Sequence, residues 1–376
     1  MTEETSAPVW VTTAIAEIIA KMPTVAARNA GAMPYTTDDQ GRFIDLSTKD
    51  PTWWTNGFWG GLMWQLYHVT GTQVYRDNAE TLEQQLDANL MQADRLDHDN
   101  GFKWLPTAVA DYTLTGNKAS RNRGLLAAEN LAGRFNPLGN FIRAWNDKGD
   151  GRMAGRFIID CMMNLPLLYW ASRETHDPRF KFVAEKHAQT AARYLLRADG
   201  SVNHMVDLDP ETGAYIDAPG GQGLGEGSSW TRGQAWALYG FALSYRHTGD
   251  PAFLASSQQV ANYVISRIPA DGLLPVDFAK PGDWEDTSAG AISACGLLEL
   301  AQHVEDADAA VYRAAALRLL QALTEQRAHF ETSTDFLLEK GTAAYHDATH
   351  ELPIIYGDYF YLEALLRVTG QALFIW

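Results

Sequence analysis

Along the 376 residues, runs with apolar residues at helical spacing and charges between them alternate with runs that are apolar nearly all round. Short marked turns separate the two kinds: YHVTG ending at Gly71, YTLTG at Gly116, SRETHDP at Pro178, YRHTGDP at Pro251, QHVEDAD at Asp308 and LRVTG at Gly370. Gly supplies the left-handed residue that closes a helix, and Pro at the first helical position opens the next, so six tight helix-to-helix turns are expected. After the turns, 72–90, 118–133, 178–196, 251–267 and 307–326 read as outer helices with one wet face. Before them, 54–69, 100–114, 157–173, 231–247, 288–303 and 357–368 read as buried inner helices. A helix from about Trp10 to Arg28 supplies the first outer member. WTNGFWGGLMWQLYHVTG from Trp54 and WTRGQAWALYGFALSYRHTG from Trp230 share their opening and their close, the trace of an internal repeat. The pattern predicts an all-α fold, an (α/α)6 barrel of six helical hairpins, as a single domain over 1–376.

Inner-to-outer turns are short, while the outer-to-inner connections 29–53, 91–99, 134–156, 197–230, 268–287 and 327–356 are long. Long structured loops in a compact domain usually carry function. They gather where the inner helices begin, and helix N-termini favour negative charge.

Composition narrows the ligand. Against 30 Lys+Arg stand 46 Asp+Glu, a net charge of −16, which excludes non-specific nucleic-acid binding and polybasic membrane contact. The start MTEETSAP is acidic where a secretory signal is basic, and no run reaches the roughly 18 uncharged apolar residues of a spanning helix. Two cysteines, Cys161 and Cys295, make no disulfide framework. A soluble, cytoplasmic protein without membrane attachment is expected.

Asp97, His98 and Asp99 sit just before the second inner helix. Asp97 or Asn100 there could cap the helix, and the three could ligate a divalent ion, but no second cluster at zinc-like spacing appears and no metal or cofactor is expected. Asp160 is the single acid in GRFIIDCMMNLPLLYW, where helical spacing puts Arg156, Asp160 and Asn164 on one face. A buried Arg156–Asp160 ion pair would explain that stripe. Alternatively, desolvation and a nearby carboxylate raise Asp160 so that it acts as a general acid. Asp99 and Asp160 open adjacent inner helices, and two carboxylates at one cleft is the pattern of glycoside-bond chemistry. Trp53, Trp54, Trp59, Trp145, Trp230, Trp236 and Trp284 lie at the same end, where some fill core and others present faces on which sugar rings stack.

These residues resemble the unsaturated glucuronyl hydrolases of glycoside hydrolase family 88. The likeness lies in WTNGFWGG at 54–61, DHDNGF at 97–102, GRFIIDCMMNLPLLYWA at 155–171, GSSWTRGQAW at 227–236, DTSAGAISACGLLEL at 286–300 and YGDYFYLEALLR at 356–367. The resemblance implies an (α/α)6 barrel that takes a 4,5-unsaturated uronic acid from the non-reducing end of lyase-generated oligosaccharides. It implies hydration of the enol-ether double bond, with Asp160 as proton donor and acceptor and Asp99 on the ring hydroxyls. Implied substrate contacts are Trp54, His98, His204, Gln222, Arg232 and Trp236, with Trp145 less strongly. Unsaturated rhamnogalacturonyl hydrolase-like activity and a noncatalytic uronic-oligosaccharide-binding toroid are the alternatives. Sulfate-preferring members carry a Ser- and Lys-bearing motif before the GDY segment; here AAYHDATHELPIIYGDY has no Lys, which argues against efficient 6-sulfate recognition. An anionic sugar on so acidic a body requires a local electropositive mouth, expected from the helix N-termini with Arg232, His98, His204 and Arg156. Disaccharides are then preferred over long polyanions.

Overall fold

The computed structural model describes residues 7–147, 149 and 151–376. The acidic start MTEET, part of the basis for expecting no secretory signal, lies outside the described residues, as do Lys148 and Asp150 of the expected long loop 134–156.

The helices are α1 (Val9–Arg28), α2 (Phe58–Thr70), α3 (Gln73–Leu90), α4 (Asn100–Trp104), α5 (Ala110–Thr115), α6 (Lys118–Gly133), α7 (Leu165–Thr175), α8 (Pro178–Tyr194), α9 (Thr231–Thr248), α10 (Pro251–Arg267), α11 (Thr287–Leu300), α12 (Asp306–Gln326) and α13 (Ile355–Val368). A π-helical stretch, Leu105–Val109, joins α4 to α5 into one inner member. Pro106 lies within it; a proline has no N–H to give the ladder, and one wide turn absorbs the loss. Inner members pack in sequence, α2 on the π stretch, α4 on α7, α7 on α9, α9 on α11 and α11 on α13, and α13 returns to α2 to close the ring. Each has an outer partner, and α1 serves α13 from the other end of the chain. This is the (α/α)6 barrel expected from the pattern.

The turns form for the reasons read in the sequence. Gly71, Gly116 and Gly249 close their helices in the left-handed region, with φ of 67°, 74° and 72°. Asp177 and Asp250 accept from the N–H groups of Arg179 and Ala252, both at 2.9 Å, and so cap α8 and α10. The turn at Gly370 leads to no helix. Its tail turns back, and the Gln65 amide pairs with both backbone groups of Leu373, at 2.8 and 2.9 Å. Trp376 then stacks on Phe360 at 5.7 Å and donates to Glu363 at 2.7 Å.

Two expectations need correction. Helix α1 is long and apolar enough, by length and composition, to cross a membrane, because Glu17 and Lys21 are too few to break the run. Its Val11, Ile15, Ile18, Met22 and Val25 are buried instead, and the helix packs on α13 and α3. The third inner segment is not helical from 157. It runs as a strand to Ile158, as a 3₁₀ turn over Ile159–Met163, and becomes α7 at Leu165.

The long connections carry small strands that the helical pattern hides. β1 (Pro34–Thr37) pairs with β2 (Phe43–Asp45), and β3 (Phe135–Asn136) with β4 (Phe141–Ile142). β5 (Arg156–Ile158), β6 (Met205–Leu208) and β7 (Tyr215–Asp217) form an antiparallel sheet in that order.

Candidate active site

That sheet fixes the centre. Ile158 faces Met205 across β5 and β6, and the Ile159 N–H extends the ladder to the His204 carbonyl at 2.9 Å. Asp160 therefore emerges beside His204, whose Nε2 lies 3.4 Å from Asp160 Oδ2. On the other edge, Ala144 N–H donates to Arg156 O at 2.8 Å and His98 N–H to Ala144 O at 3.0 Å. Backbone hydrogen bonds thus lace four distant segments, and the side chains of His98, Trp145, Asp160 and His204 converge, His98 and Trp145 edge to face at 6.1 Å.

Asn164 links the Asp99 carboxylate to the Asp160 main chain. Its Nδ2 is 3.3 Å from both Asp99 Oδ1 and the Asp160 carbonyl, while its Oδ1 accepts from Phe102 N–H at 2.8 Å. The approach requires Gly101, because a Cβ there would stand 2.5 Å from Asn164 Cα. Gly221 plays the same part for His204. A Cβ at Gly221 would lie 1.7 Å from His204 Nδ1, the atom that accepts from Gln222 N–H at 3.0 Å. With Nδ1 accepting, the neutral tautomer carries its proton on Nε2, the nitrogen nearer Asp160.

A cavity of about 600 Å³ opens over this pair. Asp99, Asp160, His98, Trp54, Trp145 and Gln222 line it, as do Asp50, Thr52, Trp53, Asp94, Arg95, Asp97, Asn146, Met153 and Ile158. Behind its wall, Trp54 packs on Phe102 and Tyr356, at 5.4 and 5.1 Å. Burial, then the charges of Asp97 and Asp160, hold the Asp99 carboxyl well above the usual range. Burial pulls His98 down to about 4, so it is neutral, and raises the Cys161 thiol well above its ordinary value, so no thiolate nucleophile stands beside Asp160. Asp160 Oδ2, His204 Nε2 and both His98 ring nitrogens are buried without an aligned hydrogen-bond partner. Among the described residues, no group of three His, Cys, Asp or Glu side chains is placed to hold a metal ion.

Other expected site residues stand back from the cavity wall. Trp236 is fully buried between Phe102 and Phe360, at 5.1 and 5.5 Å. Arg232 is buried as well. It donates to Asp286 and Thr342 O at 2.6 Å each and to Ala343 O, with its guanidinium over Trp230. It thereby holds the backbone whose Ala343 carbonyl also accepts from Gln222 Nε2 at 2.9 Å. Arg156 is not Asp160's ion-pair partner: extended backbone turns it to Asp207, in bonds of 2.6 and 2.5 Å. Asp97 does not cap α4 at its first turn; its Oδ1 accepts from Asp99 N–H at 3.0 Å, and Lys103 Nζ lies 3.9 Å away. Trp59 and Trp230 are core, and Trp284 stacks on His350 at 3.6 Å. The mouth is therefore not the electropositive ring expected: His98 is neutral, and Arg232 and Arg156 are committed to carboxylates. Sequence reasoning missed Asp50, Thr52, Arg95 and Asn146, which sit on loops where no periodicity points; only the run of tryptophans pointed to that rim.

Comparison with known proteins places the chain in a family. Residues 25–376 match Glycosyl Hydrolase Family 88. The chain is 37% identical to the unsaturated glucuronyl hydrolase of Bacillus sp. strain GL1, over 94% of this chain and 96% of that one. The crystal structure of that hydrolase superposes with a TM-score of 0.90 at 34% identity, covering 96% of this chain and 98% of the other. The unsaturated chondroitin disaccharide hydrolase of Streptococcus pneumoniae strain R6 is 36% identical over 85% of this chain and 82% of its own. A mutant unsaturated glucuronyl hydrolase of Streptococcus agalactiae complexed with dGlcA-GalNAc6S has a TM-score of 0.84 at 28% identity, over 99% of this chain and 95% of that one. With the barrel, the paired carboxylates and a match over nearly its whole length, the chain belongs to Glycosyl Hydrolase Family 88.

Proposed function

We propose that the protein removes a 4,5-unsaturated uronic acid from the non-reducing end of lyase-generated oligosaccharides, disaccharides before longer fragments, by hydrating the enol-ether double bond. The observation that carries this reading is Asp160 Oδ2: buried, on a cavity-lining residue, and aligned with no donor. A buried carboxylate oxygen without a partner is rare unless a ligand supplies one.

Asp160 gives its proton to C4. The C4–C5 π pair forms the new C–H bond, and the positive charge at C5 is shared with the ring oxygen. Water then adds at C5 as its proton passes to the Asp160 carboxylate, restoring the acid. The C5–O ring bond of the resulting hemiketal breaks to give a ketone. C1 is left as a hemiacetal, which expels the leaving saccharide as an alcohol. Asp99, its carboxyl raised by burial and by Asp97 and Asp160, faces the ring hydroxyls. His204 stands beside the acid, its Nε2 3.4 Å from Asp160 Oδ2. Trp54 and Trp145 supply ring faces for the sugar.

The relatives named for unsaturated chondroitin disaccharides and complexed with dGlcA-GalNAc6S support a substrate of this kind. Residues 343–353 carry no Lys or Arg, so that segment offers no cation to a 6-sulfate. The two free buried thiols, Cys161 and Cys295, support a cytoplasmic setting, to be read by cell fractionation. Because C1 is never attacked, an unsaturated uronate thioglycoside should be turned over with loss of the double-bond absorbance. Failure on the thioglycoside alongside success on the oxygen glycoside would contradict hydration.

A further inference from the structure

The cavity is poor in positive charge for an enzyme of anionic sugars. Asp50, Asp94, Asp97, Asp99 and Asp160 all line it, and among the described residues Arg95 is the one Lys or Arg that does. Arg95 is exposed at the rim and makes no ion pair with any described residue. Its backbone is nevertheless fixed on both sides. Arg95 N–H donates to Gln92 O at 2.8 Å, and Asn146 Nδ2 donates to the carbonyls of Asp94 and Leu96, both at 2.9 Å. Arg134 donates to the same Leu96 carbonyl at 2.9 Å. The main chain is clamped while the guanidinium pairs with no described carboxylate. Trp53, 36% exposed, lines the same cavity with its edge against Tyr35. An exposed indole and an exposed guanidinium lining one cavity make a place for a sugar that bears an anion.

We propose that Arg95 reads one anionic group on the leaving saccharide: a sulfate on the sugar next to the cleaved bond, or the carboxylate one sugar further out. This rests on the glycosidase reading and deepens it. Depth assigns Arg95 to the leaving side, because Asp99 and Asp160, at 6% exposed, hold the unsaturated ring at the floor while Arg95 stands at the opening. The 343–353 segment, joined to the cavity by the hydrogen bond from Tyr345 N–H to Gln222 O, offers no Lys or Arg of its own. In this chain the recognising cation therefore comes from the turn before α4. Asp50 and Asp94 share the rim and repel further anions.

The test compares wild type, Arg95→Gln and Arg95→Lys on four unsaturated glucuronyl substrates. These are the unsulfated N-acetylhexosamine disaccharide, its 4-sulfated and 6-sulfated forms, and the unsulfated tetrasaccharide. Arg95→Gln should raise KM about fivefold for at least one anionic-aglycone substrate and less than about twofold for the neutral disaccharide, as expected of an exposed charge pair, with kcat unchanged. Arg95→Lys should restore most of the difference. The arm that responds, sulfated disaccharide or tetrasaccharide, identifies the anion. An equal effect on all four substrates, or none on any, overturns the proposal. Calorimetric binding of the same ligands reads the same ratio without turnover, so loss of catalysis on every substrate contradicts the glycosidase reading and leaves this one still measured.

Discussion

Asp99 is where chemistry and stability oppose each other. Its carboxyl is raised well above the usual value by burial and by Asp97 and Asp160, so the folded chain binds a proton that the unfolded chain releases. Above the ordinary carboxyl pKa this costs stability, and the cost disappears below about pH 4, where both states hold the proton. Asp99→Asn removes the cost. Thermal melts should show the variant no less stable than wild type at pH 7, the gap closing towards pH 4, while turnover falls steeply. A variant less stable at pH 7 than at pH 4, relative to wild type, would contradict the assignment. The sequence exposed Asp160 because a lone acid in an apolar run is conspicuous, and Asp99 because it closes a run of three titratable residues, Asp97, His98 and Asp99. It hid what Arg156 does, since a residue placed on a helix face by spacing turned out to lie on a strand and to face Asp207.

At the scale of elements, the turns at Gly71, Gly116, Pro178 and Pro251 were legible because Gly and Asp-Pro act locally, through a left-handed residue or a capping carboxylate. The strands were not. β5 is three residues long and β6 four, too short for alternation to show, and their pairing spans about 50 positions. Yet that pairing brings His204 to Asp160. The loop after β7 then fixes the ring through Gly221, a requirement of close approach that no periodicity announces. Gly221→Ala should push the imidazole away and break its bond from Gln222 N–H, with a loss on the order of 10²-fold in kcat/KM. Gly225→Ala, in the same loop but with open space at its Cβ, should be close to wild type. Equal behaviour of the two variants in steady-state assays would show that the His204 contact does not matter.

The whole molecule is a ring that needs stopping at one end so that the other can be a pocket. The tail after Gly370 does this, carrying Trp376 in among Phe102, Tyr239, Tyr359 and Phe360. Trp376→Ala should cost about 3–5 kcal/mol in urea unfolding, the ordinary loss for a large buried aromatic, and a loss below about 1 kcal/mol would mean the ring closes without it. The barrel itself was readable from period and turn spacing. The net charge of −16 was a weaker guide, because it describes the far field and says nothing of which side chain stands free at the mouth.

The central claim is that Asp160 protonates and hydrates an unsaturated uronate. The most direct measurement follows the ultraviolet absorbance of an unsaturated glucuronyl disaccharide mixed with wild-type protein and with Asp160→Asn, while calorimetry records binding to both. Wild type should extinguish the absorbance, and the variant should bind with similar affinity yet leave it flat, at least 10³-fold slower. Steady loss of absorbance with Asp160→Asn, or none with wild type, would contradict the account.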